Sequence, residues 1–91
     1  MRRLLQTPTF SRAAKRLHPQ QKQDLDKAVR AIAADPGIGD GKRGDLAGVR
    51  VYKFKMNRQL TLLAYEYLEE GGAIKLLALG SHENFYRDLK R

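Results

Sequence analysis

Lys53 and Lys55 flank Phe54 in the run Val51-Tyr52-Lys53-Phe54-Lys55. In an extended chain their side chains leave the same face roughly 7 Å apart, because a strand rises about 3.3 Å per residue. Two ammonium groups so placed focus positive charge. One could exchange a proton while the other offsets charge developing on a phosphate. The bland alternative is a solvated strand face whose lysines discourage edge-to-edge pairing. Against it stand Lys42, Arg43 and Arg50 before the pair and Arg58 after it, which gather basic residues around one stretch of chain. His82 opens a second candidate group in Gly80-Ser81-His82-Glu83-Asn84-Phe85-Tyr86-Arg87. A histidine at the end of an element is commonly a surface or capping residue. An antiparallel sheet, however, can bring the end of its last strand near the strand of Lys53 and Lys55. There an imidazole can exchange protons near neutral pH, and Tyr86 can stack on a base or donate a hydrogen bond. Lysines, an imidazole and an aromatic suit RNA cleavage. The catalytic candidates are Lys53, Lys55, His82, Tyr86 and Arg58, and Lys42, Arg43, Arg50, Phe85 and Arg87 form the candidate RNA-binding surround.

Other chemistries find less footing. The chain has no cysteine, which removes disulfides, thiolate metal sites and a thiol nucleophile together. His82 and Glu83 are adjacent, and no further histidine stands at ligand spacing, so neither a metal nor another cofactor is expected. The glycines around Asp40 lack the spacing of a phosphate-binding loop. Ser81 beside His82 does not make a nucleophilic triad. His18, lying before Pro19 between two helical stretches, is given no functional role.

The elements that must position these residues follow from periodicity. Arg2 to Gln6 reads as an edge strand closed by Pro8. Thr9 is placed to cap a helix in which Phe10, Ala13, Ala14 and Leu17 share one face. Pro19 opens a second helix, with Leu25, Ala28, Val29, Ile32 and Ala33 at helical spacing up to Asp35. Five of the eight glycines fall between Pro36 and Gly48, which predicts a long loop. Val49 to Met56 then alternates, with Tyr52, Phe54 and Met56 on one face and Val51, Lys53 and Lys55 on the other. Asn57-Arg58 predicts a tight turn, and Leu60 to Leu68 a central strand covered on both faces. Glu70-Gly71-Gly72 turns the chain into a last strand, Ala73 to Leu79. The expected architecture is a single α+β domain spanning residues 1–91. It has an N-terminal strand, a two-helix hairpin packed on one face of an antiparallel sheet, and a short C-terminal tail or helix.

Composition agrees with one small domain and points to a polyanion. Within 91 residues, 18 lysines and arginines against 10 acidic residues give a net charge of +8. RNA, DNA, an anionic membrane or an acidic protein would all be drawn to it. The apolar run after Met1-Arg2-Arg3 ends at Gln6, too soon for a secretion signal, and no stretch approaches the ~20 apolar residues of a membrane span. A cytoplasmic protein without a membrane partner is expected.

The element order, the strand Tyr52-Lys53-Phe54-Lys55, the Leu-rich strand reaching Tyr65, and Leu77-Ala78-Leu79-Gly80-Ser81-His82 leading to Phe85-Tyr86 resemble the RelE/ParE superfamily of bacterial type II toxins. The resemblance spans essentially the whole chain. Its last run, a glycine, a small hydroxyl, a histidine and an aromatic pair, is more similar to the ribonuclease branch than to the branch that inhibits DNA gyrase. The resemblance implies a small basic toxin that cuts mRNA, with the ribosome as an expected participant, and that is silenced by an acidic cognate antitoxin. It implies that Lys53 and Lys55 serve as general base and phosphate stabiliser, that His82 matches the histidine of YafQ-like members, and that Tyr86 matches their C-terminal aromatic. One departure stands out. Where the family often carries an arginine or acidic residue, this chain has Leu60-Thr61-Leu62-Leu63, which leaves Arg58, or Arg50 in its place, to stabilise the transition state. The alternative reading is a non-enzymatic gyrase inhibitor on the same fold, since fold alone does not fix activity.

Overall fold

A computed structural model describes residues 3–42, 44, 47–68 and 72–81 of the chain. Its elements run β1 (Arg3–Gln6), α1 (Pro8–Lys15), α2 (Pro19–Ala34), β2 (Asp40–Gly41), β3 (Arg50–Met56), β4 (Gln59–Leu68) and β5 (Ala73–Gly80). The expected α+β class holds, with both helices on one face of a five-stranded sheet of order β1-β5-β4-β3-β2. Two details differ from the sequence expectation. β1 pairs in parallel with β5, from Arg3 opposite Ala73 to Gln6 opposite Leu76, so the sheet is mixed. The loop after α2 also contains β2, whose Asp40 and Gly41 pair with Val51 and Arg50. Two residues carry no periodicity, and so the strand had no signature to read.

Proline and a hydroxyl start α1. Thr7, not Thr9, is its N-cap, and Pro8 sits in the first turn, where a missing N–H costs nothing. The Thr7 hydroxyl accepts from the Phe10 amide at 3.1 Å and donates to the Leu77 carbonyl at 2.7 Å, which moors the helix to β5. α2 begins the same way, with Pro19 after His18, whose backbone N–H donates to Gln21 Oε1 at 2.8 Å. His18 therefore has a structural place at a helix start.

The helix-facing core gathers Phe10, Leu25, Ile32, Met56, Leu63, Tyr65, Ile74 and Leu76. A second buried cluster, Val51, Leu62, Ala64 and Ala78, with Val49 and Leu77 against it, lies on the opposite face. Leu62 and Leu63 are adjacent and both fully buried, as a strand apolar on both parities requires. β4 is thus the central strand that the Leu-rich sequence implies. No described helix is long and apolar enough to cross a membrane.

Candidate active site

Strand parity sets the site. β3 pairs antiparallel with β4, placing Tyr52 opposite Leu63, Lys53 opposite Leu62 and Lys55 opposite Leu60. Tyr52 and Phe54 pack on the helix-facing core, so Lys53 and Lys55 project from the other face, and both are exposed. Between β4 and β5, Leu62 stands opposite Gly80. Lys53, Leu62 and Gly80 therefore form one row across three strands, which puts the end of β5 about 10 Å from the Lys53 backbone at ~4.8 Å per strand. The extended chain leaves this row through Ser81, which is exposed.

β5 reaches that row by way of a β-bulge. Ala64 faces Ala78 but Tyr65 faces Leu76, so Leu77 is the extra residue. The Thr7 hydroxyl bonds the Leu77 carbonyl and so braces the bulge from α1.

The β3–β4 connection closes the same end of the sheet. Met56 pairs with Gln59, leaving Asn57 and Arg58 as a two-residue turn with φ of 52° and 72°. Positive φ at both positions is the geometry whose twist suits a hairpin. The Asn57 amide donates to Asp24 Oδ2 of α2 at 2.8 Å. Arg58 is exposed at the tip, three residues beyond Lys55.

Not every basic candidate joins this group. Arg50 shares the parity of Tyr52, and its guanidinium donates from Nη1 to the Gly39 carbonyl at 3.0 Å. It is thus committed to the loop after α2, not placed to replace Arg58. Lys42 lies at the other end of the sheet edge, its amide donating to the Val49 carbonyl at 2.9 Å. Val49 and Lys53 stand four positions apart, a span of about 13 Å along the strand. The basic residues that cluster in sequence thus divide into two groups in space. Arg43, His82, Phe85, Tyr86 and Arg87 lie outside the described residues. Among the described residues, no group of three or more His, Cys, Asp or Glu side chains is gathered to hold a metal ion.

Sequence reading missed the buried knot that shapes the Gly-rich loop. The Tyr65 hydroxyl donates to the Pro36 carbonyl at 2.7 Å and accepts from the Gly39 amide at 2.9 Å. Burial raises the Tyr65 pKa above its ordinary value near 10; the Gly39 hydrogen bond and the Arg50 charge oppose the rise, while Asp35 and Tyr52 add to it. Gly39 is required by close approach, because a Cβ there would lie 2.8 Å from the Tyr65 hydroxyl and 3.1 Å from the Val51 carbonyl. The glycine was visible in the sequence. Its partner, 26 residues away, was not.

The two helices thus lie over one face of the sheet, and its open face carries the paired lysines of β3. The family model for ParE-like toxins of type II bacterial toxin-antitoxin systems matches residues 4–90. The chain belongs to that family. No curated protein matches the sequence of this ParE-like toxin. Solved structures share its fold at low identity. A chain of the intact RelBE toxin-antitoxin complex of E. coli is 18% identical, with a TM-score of 0.74 over 91% of this chain and 99% of that one. A RelBE toxin-antitoxin complex from Mycobacterium tuberculosis contains a chain 20% identical, at 0.72 over 89% and 98%. A YoeB/ParE toxin from Agrobacterium tumefaciens is 16% identical, at 0.69 over 88% and 98%. The ParE-like toxin shares the fold of these proteins over about nine-tenths of its length, and the Lys53 and Lys55 side chains project from its helix-free face.

Proposed function

We propose that this ParE-like toxin is a metal-independent endoribonuclease that cuts mRNA, with the ribosome presenting the substrate, and so inhibits translation in the cytoplasm. The observation that carries the reading is the exposed Lys53/Lys55 pair on the helix-free face, with Lys53 in register with the end of β5 from which the sequence runs on to His82. The 2′-hydroxyl of the substrate attacks the adjacent phosphorus, the bond to the 5′ oxygen breaks, and the products carry a 2′,3′-cyclic phosphate and a 5′-hydroxyl. A lysine of the pair or His82 takes the proton of the attacking hydroxyl. The remaining lysine and Arg58 offset charge on the phosphoryl oxygens, and His82 or Tyr86 returns a proton to the leaving oxygen. Lys42, Arg43, Arg50, Phe85 and Arg87 are the proposed RNA-binding surround. Of these, Arg50 contributes through the loop it holds.

A cognate antitoxin is the second proposed partner. Structures similar to this chain are toxin-antitoxin complexes, and a net charge of +8 favours an acidic segment that folds as it binds. The family description, ParE-like, favours one competing reading, non-enzymatic inhibition of DNA gyrase. Brief expression of the wild type and of Lys53→Ala, followed by mapping of mRNA 5′ ends, separates the two. In-frame cuts present with the wild type and absent with the variant are expected. Intact mRNA with an induced DNA-damage response would assign the toxin to gyrase.

A further inference from the structure

The tip of the β3–β4 hairpin is built against its own preferences. A turn with positive φ at both central positions takes asparagine readily at the first and glycine at the second. Here the second is Arg58 at φ 72°, where its Cβ crowds the following carbonyl. The amide of the first central residue has no role in the hairpin ladder, and in this chain it reaches the Asp24 carboxylate instead. Asp24 stands on α2, half-buried, and borders a shallow hollow with Lys27, Ala28, Tyr52, Phe54 and Lys55. α2 thus reaches the tip of the hairpin and grips the backbone one residue before Arg58.

We propose that Asp24 is a positioning residue of the RNA-cleaving site, its carboxylate holding the Asn57-Arg58 turn so that Arg58 is presented at the end of the Lys53/Lys55 row. The inference rests on the ribonuclease reading. A hydrogen bond to a carboxylate is stronger than one between neutral groups. It fixes the turn at its first central residue, one position before the strained arginine. Without it the hairpin can relax into other turn geometries, and the guanidinium loses its fixed origin. Displacement of a phosphate-stabilising group by about 1 Å is enough to cost up to ~10²-fold in rate.

The test uses the full chain and ribosomes programmed with a defined mRNA, measuring single-turnover cleavage by the wild type, Asp24→Ala, Asp24→Asn, Arg58→Ala and the Asp24→Ala/Arg58→Ala double variant. Asp24→Ala is expected to lower the maximal rate about 10- to 100-fold with little change in the concentration dependence. Asp24→Asn, whose Oδ1 can accept the same bond, restores most of the rate. In the Arg58→Ala background, loss of Asp24 costs nothing further. Amide exchange at Asn57 accelerates in Asp24→Ala and stays slow in Asp24→Asn. An unchanged rate in Asp24→Ala, losses that multiply in the double variant, or an Asp24→Asn as impaired as Asp24→Ala overturns the positioning role. A wild type that cuts no RNA on the ribosome overturns the ribonuclease reading and this inference with it.

Discussion

Lys53 and Tyr65 lie on neighbouring strands and face opposite sides of the sheet, one carrying the proposed chemistry and the other the framework. Lys53 is exposed and pairs with a buried Leu62, so its truncation removes charge without opening the core. Lys53→Ala should therefore lower mRNA cleavage by about 10²- to 10⁴-fold while leaving the thermal midpoint near that of the wild type. Tyr65 behaves oppositely. Tyr65→Phe leaves the Gly39 amide and the Pro36 carbonyl without their partner, at an expected cost of about 1–3 kcal/mol in denaturant unfolding. The raised pKa adds a pH signature. Above the ordinary tyrosine value the folded state holds the phenolic proton more tightly than the unfolded chain, so stability is full below about pH 10 and falls as pH rises toward the folded-state pKa. Unfolding curves from pH 8 to 11 should show that fall in the wild type and a shallower one in Tyr65→Phe. Arg58 joins strain to function. Arg58→Gly relieves the positive φ and should stabilise by about 1 kcal/mol, yet it removes a proposed phosphate contact and should slow cleavage.

The elements show which parts of the structure the sequence makes readable. α2 could be read because Leu25, Ala28 and Ile32 recur at helical spacing and are buried together. β3 and β4 could be read because alternation in one and continuous apolarity in the other match one half-covered and one fully covered strand. Local patterns say nothing of partners seventy positions away, so the parallel seat of β1 beside β5 was not legible. Nor were the two residues of β2, the bulge at Leu77, or the choice between Thr7 and Thr9 as cap. That choice was made by tertiary structure, because the Thr7 hydroxyl bonds both the Phe10 amide and the Leu77 carbonyl. Thr7→Ala should cost about 1–2 kcal/mol, and Thr7→Ser should recover most of it, as read from unfolding midpoints.

At the scale of the whole molecule, charge would govern the proposed encounter with RNA. The excess of positive charge was legible from composition, and the Lys53/Lys55 pair from alternation. Their separation from Lys42 and the withdrawal of Arg50 were not, because sequence proximity does not reveal strand parity or the hydrogen bond to Gly39. Single-stranded RNA binding should weaken as salt rises, with a slope in log K against log salt of about −0.7 per phosphate neutralised. Lys53→Ala/Lys55→Ala should make that slope shallower by about 1 to 2, whereas an unchanged slope would place the RNA elsewhere. The pairing of β1 with β5 also imposes an order in time. Arg3 meets Ala73 only after synthesis has reached β5. Closing so long a loop is entropically costly, and contacts this distant in sequence slow folding. During synthesis the first strand therefore waits for the last, and α1 cannot be moored at Leu77 before β5 emerges. A nascent toxin lacks both its completed sheet and the Lys53–Leu62–Gly80 row until β5 has been made.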